Sequence, residues 1–106
     1  MEPKVKIHLE QIVETLELSL GFLDRFTTFD KDSIRGLLYM SEITYSFRKD
    51  LKEGSKLFKQ YAAVDRTIIQ AVKKRDIILV FCVKDVLRNI RNAYLEVIEG
   101  EQERKK

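Results

Sequence analysis

Apolar residues recur along this chain every three or four positions, the spacing that lines them up on one side of an α-helix. Four segments carry the period, over about residues 4–27, 32–53, 55–75 and 77–99. The first aligns Leu9, Ile12, Val13, Leu16, Leu20 and Leu23, and the second Met40, Ile43, Phe47 and Leu51, with Gly36 on the same stripe. The third aligns Leu57, Tyr61, Val64, Ile68 and Ala71, and the fourth Leu79, Val83, Val86, Ile90, Ala93 and Val97.

Punctuation between these segments agrees with the period. Pro3 suits a helix start, where its missing N–H would have no partner in any case. Asp30 or Asp32, Ser55 and Asp76 each precede a segment and can accept hydrogen bonds from its first free N–H groups. Gly54 suits a helix stop, and Lys73, Lys74 and Arg75 suit the negative end of a helix dipole. Ile77–Val83 alone would pass as a buried strand, but the period runs through it to Val97 and no other segment offers a strand partner. Short links make successive helices antiparallel. The pattern predicts an all-α, antiparallel up-down four-helix bundle in one domain, with residues 100–106 as a frayed polar tail.

Composition sharpens this picture modestly. In 106 residues there are four glycines and one proline, which favours long helices over a turn-rich β architecture. Twenty basic and 17 acidic residues are mixed along the chain, without the one-sided basic patch that points to nucleic acid. The longest apolar run, seven residues at Ile77–Val83, is too short to span a bilayer, and the N-terminus lacks the apolar core of a signal peptide. Membrane insertion is not expected. The lone Cys82 cannot form an internal disulfide, which suits a reducing, cytoplasmic compartment, and its apolar neighbours predict a buried thiol used in packing.

Candidate chemistry is sparse. His8 is the one histidine and cannot make a zinc site alone. Glu10, Glu14 and Glu17 share a helix surface but lack the Glu-x-x-His pairs of di-metal bundles. The glycines are isolated, so no phosphate loop forms. Lys84, Arg88 and Arg91 make a basic stripe that reads first as hydrated surface and, as the lesser alternative, as the phosphate contact of a nucleic-acid-associated bundle, whose binding would weaken steeply with salt. Arg91-Asn92 is similar to the front of the Arg-polar-x4-6-His motif of helical ribonuclease toxins, but no histidine follows. These absences predict no catalysis, no metal and no cofactor.

An apolar surplus remains. Ile7, Leu18 and Phe22 fall at about 160° to 220° from Leu9, behind the first helix's core stripe. Ile34, Leu38 and Tyr45 fall at about 120° to 160° from Met40 on the second. A helix of a simple bundle needs one apolar face, so a second face implies a further contact. Other helices of the same chain could cover it. So could a partner's helix in a groove, with these six residues as anchors, or a second copy in a homodimer.

Two patches resemble the flagellin-specific secretion chaperones (the FliS family). The stretch from Asp76, which follows a basic pair, to Ile90-Arg91-Asn92-Ala93-Tyr94 looks like their last helix. Ser19-Leu20-Gly21-Phe22-Leu23-Asp24-Arg25 is similar to the family's Ala-Leu-x-Phe-Leu-Glu-Gln segment. Leu16-Glu17-Leu18 stands where the family carries Tyr-Asp-Gly, and the segment leading into that helix is shorter, as in a diverged or truncated member. The resemblance implies an antiparallel bundle that holds a helical segment of a client, the C-terminal end of flagellin, in the cytoplasm.

Overall fold

The computed structural model describes the backbone of residues 1–104 and the side chains of residues 1–100. Four helices follow one another: α1 (Pro3–Asp24), α2 (Lys31–Arg48), α3 (Lys56–Lys74) and α4 (Ile77–Arg104). No strand occurs among the described residues, and Ile77–Val83 is helical.

Local chemistry sets most of the boundaries. Pro3 occupies the first turn of α1. Asp30 caps α2 by accepting from the Ser33 N–H at 2.8 Å, and Ser55 caps α3 by accepting from Phe58 at 3.2 Å. At α4, Asp76 accepts from the Ile78 N–H at 3.0 Å. Arg75 closes α3 in the left-handed region, at φ 53°. Gly54, at φ 88°, makes the turn before α3 in a conformation that glycine adopts without strain. Two ends differ from the pattern-based expectation. α2 stops at Arg48, and the chain turns through residues 49–55. α4 continues through Gly100 to Arg104, because a glycine inside a helix costs only about 1 kcal/mol and need not end it. Residues 105 and 106 of the expected tail lie outside the described residues.

Packing is uneven around the bundle. α4 lies between α1 and α3, and α3 lies between α4 and α2, each with extensive contact; α1 and α2 approach each other over a small area. The core runs along the three extensive seams. Leu16, Leu23, Leu37, Tyr61, Val64, Ile68, Val83, Leu87 and Ile90 are sealed within it. Each such aliphatic side chain contributes about 1.5–3 kcal/mol of transfer free energy.

This arrangement rotates two of the expected core stripes. On α4 the buried residues are Val80, Val83, Leu87, Ile90, Tyr94 and Ile98, whereas Ala93 and Val97 are exposed. α1 presses on that flank of α4, as the Asp24–Lys84 ion pair marks, and draws the buried arc towards itself. On α2, Leu37, Met40 and Thr44 are buried, Phe47 is partly buried against the core and Ile43 is half-buried; Leu51, in the turn beyond α2, also packs against the core. Here α3 is the dominant neighbour and turns the arc its way. Cys82 is exposed, contrary to the packing role expected from its apolar neighbours. It lies with exposed Ile78 and Phe81 on the outer side of α4.

Two polar clusters lock the α2–α3 and α3–α4 seams. The Ser41 and Thr44 hydroxyls of α2 each donate to Asp65 Oδ1 of α3 at 3.0 Å, and the Arg48 guanidinium lies 3.4 Å from Oδ2. In the core, the Tyr61 hydroxyl donates to that of Tyr94 at 3.0 Å, joining α3 to α4. Burial raises the pKa of both phenols above the ordinary value.

Candidate interaction surfaces

The six expected anchor residues do not share one surface. Ile7 and Leu18 point away from the core on the back of α1, and Leu18 is 71% exposed. Phe22 is different. Its ring packs against the core and lies across Gly36 of α2, so close that a Cβ on Gly36 would stand 2.4 Å from Cζ. Phe26 meets it edge-on at 6.2 Å, and Phe29 meets Phe26 at 4.9 Å. Phe22 therefore has partners within the chain, where α1 meets α2. Glycine at position 36 is what admits the ring.

Ile34, Leu38 and Tyr45 lie on the flank of α2 that turns towards α3. Leu38 is 45% and Tyr45 is 55% exposed, while Ile34 is half-buried. The Arg48 guanidinium sits 4.9 Å from the centre of the Tyr45 ring and 5.4 Å from that of Phe58 on α3, bridging the two helices across this seam. The seam residues of α3 lie outside the expected set. Phe58 and Ile69 are eleven positions apart, which returns them to the same side of a helix, and Ile69 is 44% exposed. That spacing was the available signal; it is masked by the stronger stripe from Leu57 to Ala71. The α2 and α3 residues thus line the seam as one apolar band, in which Arg48 ties Tyr45 to Phe58 and Ile69 also borders a groove with Thr67, Gln70 and Leu79 of α4, while Leu18 and Ile7 form a separate band.

Other candidate groups are engaged in ordinary surface contacts. Lys84 pairs with Asp24, holding that exposed carboxyl below its usual pKa. Arg88 lies 3.6 Å from Asp85, and Arg91 donates to the Asn92 side-chain oxygen. The basic stripe is therefore largely matched by its own neighbours. Glu10, Glu14 and Glu17 line a shallow α1–α4 groove with Glu99, over Val13, Leu95 and Ile98. Among the described residues, no group of three His, Cys, Asp or Glu side chains is placed to hold a metal ion. His8 is exposed. A groove of about 710 Å³ opens between the start of α3 and the end of α4. Its walls mix Leu57, Ala93 and Val97 with Lys56, Gln60, Asn92 and Glu96. Among the described residues, no helix is long and apolar enough to cross a membrane.

No family model, curated protein or solved structure matches the chain.

Proposed function

We propose that this bundle is a protein-binding module that takes up a helical segment of a client, acting by recognition rather than catalysis. One observation carries the reading: Leu18, Leu38 and Tyr45 remain exposed although the chain has filled its core with other residues. Large apolar side chains on a finished bundle are characteristic anchors for a partner helix. The resemblance of Ser19–Arg25 and Asp76–Tyr94 to the flagellin-specific secretion chaperones makes the C-terminal end of flagellin the first client to test. The cytoplasm is the proposed location, since an exposed, unpaired Cys82 suits a reducing compartment.

Isothermal calorimetry with a flagellin C-terminal peptide tests the client. Binding by the native chain, lost in Leu38→Asp or Leu18→Asp with helicity unchanged by circular dichroism, is the expected result. Absence of heat at high micromolar peptide removes flagellin. A pull-down in which Leu18→Asp and Leu38→Asp recover the same proteins as the native chain removes the module reading itself.

A further inference from the structure

Resting on the protein-binding reading, we infer that the outer face of α2 and α3 is the docking surface and that its occupant is an amphipathic helix of another protein, flanked by carboxylates. The register of the two helices makes the apolar band continuous. Asp65 bonds Ser41, and Arg48 reaches the Phe58 ring, so Leu38 stands level with Ile68–Ile69 and Tyr45 with Tyr61–Ala62. From Ile34 to Tyr45 the band is about 16 Å long, room for about three turns of a partner helix.

Charge selects among occupants. Beyond the band, along α2 and at its C-cap, stand Lys31, Arg35 and Lys49, all exposed, with the acids Glu42 and Asp32 among them, Asp32 lying 4.0 Å from Arg35. On the far side, one helical step past Phe58 and Ile69, stand Lys59, Arg66 and Lys73, also exposed. Residues 31–74 hold ten basic and five acidic side chains, a net +5 in a chain whose total is +3. An apolar strip between two basic rails matches a helix whose apolar stripe is bordered by Asp and Glu. A second copy meeting this face about a two-fold axis would set rail against rail, which like-charge repulsion opposes.

Two designed peptides of about 18 residues, each about 27 Å long as a helix, test this. Both carry a leucine stripe; one has Glu on the flanks and the other Lys. A scrambled Glu peptide without the stripe controls for charge alone. Fluorescence anisotropy with the full chain is expected to show binding of the Glu-flanked helix only, weakening between about 50 and 500 mM salt. Ile69→Glu, and separately the double change Lys59→Glu with Arg66→Glu, are expected to weaken it about tenfold or more. These positions are exposed, and unchanged circular dichroism establishes that each variant is folded.

Equal binding of the Glu- and Lys-flanked helices overturns the carboxylate assignment and leaves the protein-binding reading standing. Binding of the scrambled peptide as tightly as the striped one also overturns it. Loss of binding in Leu18→Asp but not in Ile69→Glu moves the site to α1 and overturns the α2–α3 assignment alone. A doubled mass in light scattering that Ile69→Glu abolishes assigns the face to a second copy and overturns the inference. Failure of both striped peptides overturns it as well, while recovery of proteins that depends on Leu18 in the pull-down would still sustain the broader reading.

Discussion

Gly36→Ala probes the Phe22 contact between α1 and α2, and its outcome can be worked out in advance. Alanine in place of glycine inside a helix ordinarily stabilises by about 1 kcal/mol. At Gly36 the new methyl group would stand 2.4 Å and 2.6 Å from two carbons of the Phe22 ring, where ordinary contact begins at 3.4 Å. The ring or the helix must therefore move by about an ångström, and overpacking of this kind costs about 1–3 kcal/mol. The ring cannot swing freely, because Phe26 meets it edge-on and the core lies beneath it. Net destabilisation by up to about 2 kcal/mol follows, a fall in Tm of up to about 16 °C.

Gly21 is the internal control. A methyl group there meets only the Arg25 guanidinium at 3.5 Å, so Gly21→Ala should raise stability by about 1 kcal/mol. In a Phe22→Leu background the sign at Gly36 should reverse towards the same gain, giving a coupling energy of about 1–3 kcal/mol in a double-mutant cycle. Urea unfolding followed by circular dichroism at 222 nm measures all of these variants. If Gly36→Ala stabilises the native chain as much as Gly21→Ala does, Phe22 does not rest on Gly36 and the account of the α1–α2 contact is wrong.

Four further predictions rest on other groups of the bundle. Tyr94→Phe and Tyr61→Phe should each destabilise by about 1–3 kcal/mol, because each strands the other hydroxyl in the core; unchanged stability in urea titrations would contradict this. Both phenols ionise more readily unfolded than folded, so the unfolded state binds fewer protons above about pH 10 and stability should fall as pH rises past that point, less steeply in the Tyr61→Phe variant. Asp65→Ala should cost about 1.5–3 kcal/mol by leaving Arg48 and the Ser41 hydroxyl without their carboxylate, and a loss under about 0.5 kcal/mol would show that the α2–α3 seam does not depend on it. Cys82 should react with one equivalent of a thiol reagent in native buffer, at the same rate as in denaturant within about tenfold; protection by several orders of magnitude would return it to the core.

Much of the architecture is already present in the linear order of residues. Four amphipathic segments, Pro3, and the caps Asp30, Ser55 and Asp76 act through contacts within a few positions of one another, so helix number, order and most starting points follow from local chemistry. α3 is the plainest case: its single strong stripe, Tyr61, Val64, Ile68 and Ala71, is the buried face. Which neighbour each helix leans on is a different kind of fact, because it depends on the fit of surfaces far apart in the chain. The close packing of α1 on α4, and of α2 on α3, turned the buried arcs towards Leu87 and Tyr94 and towards Leu37 and Thr44. It left Val97 and Cys82 outside. The same tertiary choice divided the surplus apolar residues: Phe22 found Gly36, Leu18 stayed on the back of α1, and Leu38 and Tyr45 joined Phe58 and Ile69. A stripe's existence is local, since it needs only the helical repeat; whether water, a neighbouring helix or a basic rail borders it is decided when the helices meet.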